Sequence, residues 1–180
     1  MEAQQVAGRH LDDHDVLLAA RHGSEDAGRR LMRDHGAGML RTARHVLGRY
    51  GGNDAEDAVQ EAFIAALTTD ALPRADVGAW LRAIAARKAL DAARTRQRRS
   101  EDQLSDGPAP GPADLEVLAV REALARLSAR DRAVLVLVDL EGHSMAEAAE
   151  ALGTTNVGTR LRAVRARRKL AMLLREGGLS

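Results

Sequence analysis

Four carboxylates, Asp54, Glu56, Asp57 and Glu61, fall within the stretch NDAEDAVQEAFIAAL, residues 53–67. Carboxylates at this density can hold a hard divalent cation for hydrolytic chemistry, complement the positive end of a helix, or offer a negative stripe to a basic partner. The first use has the least support: no histidine lies in the segment, and the spacing does not make the carboxylates converge. Asp54 and Glu56 sit near the expected helix start, where Asn53 or Asp54 can cap. Asp57, Gln60 and Glu61 are three and four apart, so they share one exposed face. Val59, Phe63, Ile64 and Leu67 form the apolar face behind them. The histidines, His10, His14, His22, His35, His45 and His143, make no ligand cluster. Cysteine is absent, which excludes disulfides and thiolate metal sites. No nucleophile–base pair, P-loop or dinucleotide fingerprint occurs. The chemistry expected is therefore binding without catalysis, with no metal and no cofactor.

The opposite charge is concentrated elsewhere. The net charge is +1. Residues 76–99 nevertheless carry Arg82, Arg87, Lys88, Arg94, Arg96, Arg98 and Arg99 against Asp76 and Asp91, a balance of +5. Residues 154–175 carry Arg160, Arg162, Arg165, Arg167, Arg168, Lys169 and Arg175 with no acid, a balance of +7. Two separate basic stretches predict two contacts with a polyanion.

The elements that must position these charges are helical. The chain of 180 residues is rich in Ala, Leu, Arg and Glu, and aromatics make up 2%: Tyr50, Phe63 and Trp80. No apolar run approaches a membrane span of ~18 residues, and the N-terminus has no signal-peptide pattern; a cytoplasmic location is expected. The segment SEDQLSDGPAPGPAD holds three of the four prolines and reads as an extended linker. It divides the chain into an N-terminal domain, 10–99, a linker, 100–113, and a C-terminal domain, 114–176, each with a core expected to be marginal alone.

In the first domain, periodicity predicts a helix from DDHDVLLAARHG, a second through Leu31, Met39, Ala43 and Val46, the acidic helix, and a long helix with Val77, Trp80, Leu81 and Ile84 inward and arginines outward. The second domain reads as four helices. Ser128 caps the second of them. Val134–Val138 has strand propensity but no partner strand, so helix is predicted. Ser144 and Glu147 have capping-box spacing, and Gly142 and Gly153 end helices. The stretch HSMAEAAEALGTTNVGTRLRAVRARRKL is a short helix, a turn and a longer basic helix, the helix-turn-helix pattern. Its core stripe runs Thr159, Ala163, Ala166, Leu170, Leu173. That leaves Leu161 and Val164 beside Arg160 and Arg165 to read bases, arginine to guanine or phosphate and aliphatic groups to thymine methyls. A rival stripe, Val157, Leu161 and Val164, would rotate the helix.

DAEDAVQEAFIAAL, AWLRAIAARKALDAARTRQRR, LARLSARDRAVLVLVDLEGHSMAEAAEALG and RAVRARRKL, in that order and with the proline-rich linker between the second and third, resemble a bacterial RNA polymerase sigma factor of the extracytoplasmic-function (ECF) group. The resemblance covers residues 12–174. It implies an all-α fold of two small helical domains, sigma region 2 and region 4, and a promoter-specificity subunit that leaves the chemistry to polymerase. It implies that Asp54, Asp57, Gln60 and Glu61 dock on the clamp coiled coil of the largest polymerase subunit. Arg82, Arg87, Lys88, Arg94, Arg96, Arg98 and Arg99 would meet the −10 region, and the loop TTDALPRAD would hold a flipped base. Thr155, Asn156, Arg160, Leu161, Arg162, Val164 and Arg165 would meet the −35 region. An anti-sigma factor is the further partner implied. The segment departs from the family in aromatic content, Trp80 being alone and on the apolar face. It departs again at NVGTRLRAV, where Gly158 stands early in the recognition helix.

Three other readings fit parts of the chain. A helix-turn-helix regulator acting without polymerase predicts a palindromic operator. A helical metal-dependent phosphohydrolase predicts loss of activity with chelator. A protein-binding adaptor leaves both arginine-rich helices without a use.

Overall fold

The computed structural model describes residues 12–48, 52–73, 76–99 and 115–177. The linker 100–113 and Tyr50 lie outside the described residues. The described residues form helices and no strand: α1 (Asp13–Arg21), α2 (Glu25–Leu47), α3 (Gly52–Thr68), α4 (Val77–Arg99), α5 (Leu115–Ala125), α6 (Ala129–Leu135), α7 (Met145–Ala151) and α8 (Asn156–Glu176). The all-α expectation holds.

Local chemistry starts these helices. Asp12, Ser24, Ser128 and Thr155 each accept a backbone N–H as N-caps. Ser144 and Glu147 close the capping box at α7. Helix α3 begins at Gly52, one residue before Asn53 and two before Asp54, so neither predicted cap serves. Helix α6 does not stop at Leu135. Val136–Leu140 continue as a π-helical turn, with Glu141 N–H donating to Val136 O at 2.9 Å. The wider turn changes the facing of the residues after it, and π-turns of this kind gather at functional positions.

Helices α1 to α4 bury Leu17, Leu31, Met39, Val46, Ala62, Leu81 and Leu90. Helices α6 to α8 bury Val134, Val136, Leu137, Ala148 and Ala163, and these belong to the same continuous core as the first set. The two halves therefore share one continuous core. Helix α6 packs on α2 and α4, and α7 packs on α4. A second, smaller cluster, Ala123, Leu127, Leu135, Ala166 and Leu173, joins α5 to α8.

One buried cation fastens this arrangement. Arg132 is 7% exposed. It donates Nε to Val46 O at 2.8 Å and Nη2 to Leu47 O at 3.0 Å, both at the C-terminus of α2. Its Nη1 donates to Leu127 O at 2.6 Å and Ala125 O at 3.1 Å, at the C-terminus of α5. Four carbonyls at the negative ends of two helices thus take the place of a carboxylate. Burial lowers the Arg132 pKa, yet arginine stays protonated in proteins. Gly48 makes the approach possible. Its φ is +71°, and a Cβ there would lie 3.1 Å from Cζ of Arg132.

Two predictions follow from this junction. Arg132→Lys loses the planar fork and leaves carbonyls unpaired, costing about 2–3 kcal/mol; Gly48→Ala adds strain and a clash worth about 1–3 kcal/mol. In thermal melts followed by circular dichroism, Tm drops by roughly 2–4 °C per kcal/mol for a chain of this size. The second concerns pH. Burial, then Arg121 of α5, then Arg41 lower the His45 pKa, with Glu141 opposing. The folded chain therefore protonates His45 only below the unfolded value of about 6.5. Below that unfolded value the unfolded chain binds more protons, so stability is lost as pH falls through it. His45→Gln should flatten that part of the urea-denaturation profile.

Candidate nucleic-acid and partner interfaces

The core stripe of α8 is Thr159, Ala163, Ala166 and Leu173, all buried, with Leu170 half-buried. The rival stripe faces outward: Val157 is 77%, Leu161 52% and Val164 44% exposed. Gly158 has a steric explanation. Its N–H donates to Thr155 Oγ1 at 3.1 Å, and a Cβ on Gly158 would lie 3.0 Å from that same oxygen. The glycine lets the cap close at the tip of the helix. Thr155 and Asn156 are exposed there.

The arginines of α8 divide into two groups. Arg162 donates to Asp131 Oδ1 at 2.8 Å, and Arg167 donates to both Asp139 oxygens, at 2.6 and 3.0 Å. The latter bond raises the Arg167 pKa. These two fix α8 against α6 and the π-turn. Arg160, Arg165, Arg168 and Lys169 are exposed and pair with no described acid. They flank Leu161 and Val164, so the outer face is a branched apolar strip between unpaired cations.

On α4 the expected cations are more heavily engaged. Arg82 Nε stands 2.6 Å from Glu141 Oε2, off the hydrogen-bond line, as an ion pair with side chains 24% and 14% exposed. Lys88 pairs with Glu61 at 3.2 Å, Arg94 with Asp91 at 3.1 Å, and Arg96 with Asp54. Arg87 and Arg98 are exposed without a described acidic partner. The Arg99 side chain lies outside the described residues. Asp76 caps the helix by accepting Ala79 N–H at 2.8 Å, and that bond holds its carboxyl below the usual range.

The acidic segment divides in a related way. Asp54 and Glu61 line a groove of about 400 Å³ between α3 and α4 together with Asp57, Asp91, Lys88 and Arg96. Glu56 pairs with Arg44 at 3.1 Å. Asp57 and Gln60 are exposed and without a described partner. Ile64 does not join the apolar face as its sequence position had predicted. It is 62% exposed, one turn beyond Gln60 and Glu61, and so lies within the polar stripe. Val59 is buried and Phe63 and Leu67 are half-buried. The exposure of Ile64 was not legible, because 64 borders both faces of the helix.

Arg21 organises the loop after α3. It donates to Ala66 O at 3.0 Å and Ala71 O at 2.7 Å, and its guanidinium lies 5.6 Å over the Trp80 ring. Trp80 is half-buried and covered by this cation. Leu72 is 51% exposed in the same loop; residues 74 and 75 lie outside the described residues. Among the described residues there is no group of three or more side chains able to hold a metal, and no helix long and apolar enough to cross a membrane.

Comparison with known proteins agrees with this geometry. Residues 31–99 match the family model "Sigma-70 region 2" and residues 118–170 match "Sigma-70, region 4". The chain is 36% identical over 173 residues to the ECF RNA polymerase sigma factor SigM of Mycobacterium tuberculosis, covering 93% of this chain and 87% of that one. It is 33% identical over 184 residues to the RNA polymerase sigma factor CnrH of Cupriavidus metallidurans, covering 91% and 95%. Two solved structures share the fold. The sigma factor RpoE in complex with the anti-sigma factor NepR from Bartonella quintana matches with a TM-score of 0.65 and 28% identity over 84% of this chain and 98% of that one. CnrH in complex with the cytosolic domain of CnrY matches with 0.64 and 30% over 91% and 97%. With both sigma regions matched in order along an all-helical chain, the protein belongs to the ECF group of RNA polymerase sigma factors.

Proposed function

We propose that this sigma factor acts in the cytoplasm by binding alone, reading the −35 element with α8 and the −10 region with α4 while α3 docks on the polymerase clamp. The observation that carries the reading is the outer face of α8. Arg160, Arg165, Arg168 and Lys169 are exposed and unpaired by described acids, while the opposite face is buried. A helix that is apolar inside and sets unpaired cations beside a branched apolar strip outside suits the major groove. Arg160 and Arg165 take guanine edges or phosphates, and Leu161 and Val164 meet thymine methyls. Thr155 and Asn156 at the capped tip contact the backbone. Arg162, already bound to Asp131, orients the helix more than it reads DNA.

On α4, Arg87 and Arg98 are the cations ready for phosphate. Arg82, Lys88, Arg94 and Arg96 reach DNA only by leaving their carboxylates. On α3, Asp57 and Gln60 offer the unpaired polar contacts, and Ile64 supplies an apolar centre of the kind that dominates interface energy. Asp54 and Glu61 contribute after releasing Arg96 and Lys88. RpoE and CnrH are solved with anti-sigma factors. A similar partner is proposed for this chain, covering the same charged faces.

Two measurements test the assignment. Asp57→Lys and Ile64→Ala should each weaken binding to core polymerase roughly tenfold in a fluorescence titration with helicity unchanged; undiminished affinity in both removes the docking role of α3. Arg160→Ala and Arg165→Ala should each lower affinity for a −35 duplex roughly tenfold, and a phosphate contact should also reduce the salt slope by about 1. Run-off transcription that tracks neither substitution nor −35 sequence rejects α8 as the reader.

A further inference from the structure

The loop that joins α3 to α4 is held by side chains of α1. Arg21 donates Nε to Ala66 O at 3.0 Å and Nη2 to Ala71 O at 2.7 Å. His14, near the start of the same helix, brings Nε2 within 3.1 Å of Pro73 O. A carbonyl only accepts, so that nitrogen carries the proton. Within the loop, Ala71 N–H donates to Thr69 Oγ1 at 3.2 Å. The start of α4 is fastened as well. His35 Nε2 of α2 stands 3.0 Å from Asp13 Oδ2 of α1. A Cβ on Gly78 would lie 2.9 Å from His35 Nδ1, so the glycine admits the ring.

These bonds single out one side chain. Leu72 sits between the two pinned carbonyls of Ala71 and Pro73 and is 51% exposed, while Pro73 beside it is buried. A branched apolar side chain held outward at a fixed point can wedge between base steps and pack on an unstacked base. Trp80, whose ring could stack on a base, is instead covered by the Arg21 guanidinium at 5.6 Å. Arg21 thus occupies the aromatic ring and fixes the backbone beside Leu72. A loop already held in one conformation loses less entropy on binding.

We propose that α1, through His14 and Arg21, positions the loop after α3 so that Leu72 meets the face of an unstacked base of the −10 region. The proposal rests on the −10-reading role given to this half above and names a contact residue and two positioning residues for it. Leu72 touches the base; His14 and Arg21 act through the backbone they hold. Apolar contact with a base face does not depend on its exocyclic groups, so it supplies affinity for the open strand and leaves base identity to other groups.

The test uses holoenzyme assembled from core polymerase and the full chain. It binds a fork duplex, paired through −35 and single-stranded over the non-template −10 element, with affinity read by anisotropy. Each −10 nucleotide is replaced in turn by an abasic one. In the unaltered protein at least one replacement weakens binding roughly tenfold. Leu72→Ala, His14→Leu and Arg21→Met (which keeps a chain over Trp80 but no donor) each cut that penalty to about twofold, and Arg21→Met combined with Leu72→Ala cuts it no further than Leu72→Ala alone. His14→Gln, which retains an N–H donor, keeps the penalty. Val16→Ala, on the buried face of α1, lowers Tm and also keeps it. A penalty unchanged by Leu72→Ala overturns the contact. A penalty unchanged by both His14→Leu and Arg21→Met, or reduced equally by Val16→Ala, overturns the positioning. If no abasic replacement weakens binding of the unaltered protein, the −10-reading role itself falls and the proposal falls with it.

Discussion

The arrangement of the whole molecule depends on a guanidinium that has no carboxylate. Arg132 is buried at a point where α2 and α5 both end, and its N–H groups are spread over the last carbonyls of each. A buried cation is costly unless its donors are satisfied and opposing charge is near. Two helix C-termini supply both, since each concentrates partial negative charge on carbonyls with no intrahelical partner. The same bonds satisfy those carbonyls, so removing the arginine would orphan groups in both halves. Gly48 follows from this constraint: only a residue without a side chain, able to take φ +71°, ends α2 and leaves the guanidinium room.

The fold also redistributes the charge that the sequence displays. Seven cations on residues 76–99 read as a DNA-facing surface. In the fold, Asp54, Glu61, Asp91 and Glu141 each hold one of them. The acidic stripe of α3 and the basic face of α4 are thus two sides of one groove and partly neutralise each other. Exposed pairs of this kind contribute little to stability. They do shield both surfaces until a stronger partner displaces them. Among the described residues, Asp131 and Asp139 hold Arg162 and Arg167 of helix α8, while Arg160, Arg165, Arg168 and Lys169 pair with no described acid, so long-range attraction to a polyanion is concentrated there.

Much of this was legible in residue types and spacing. Ser128, Ser144 with Glu147, and Thr155 mark helix starts because their oxygens answer backbone N–H groups a fixed distance along the chain. The Thr159, Ala163, Ala166, Leu173 stripe was traceable because small residues at three-four spacing allow close packing, and the fold chose it over Val157, Leu161 and Val164. What could not be read depends on contacts distant in sequence. Arg132 looks like any surface arginine until α2, 85 residues away, ends beside it. Ile64 satisfies the apolar periodicity of α3, and only the absence of a neighbour on that side exposes it. The π-turn has no residue signature here, since Val136–Leu140 suits an ordinary helix equally well.

The proline-rich segment led to an expectation of two small helical domains joined by a linker, and those two domains also share one continuous core. The composition of a segment rich in proline, glycine and acids says nothing about the surfaces at its two ends. The shared core draws on Ala85, Ala86 and Ala89 of α4, Ala133 and Val134 of α6 and Ala148 of α7, small side chains that let helices approach closely. Two marginal domains gain by sharing apolar area, and a tether favours that by raising their effective concentration. Part of that interface is polar: Thr42 bonds one oxygen of Glu141, and Arg82 pairs with the other.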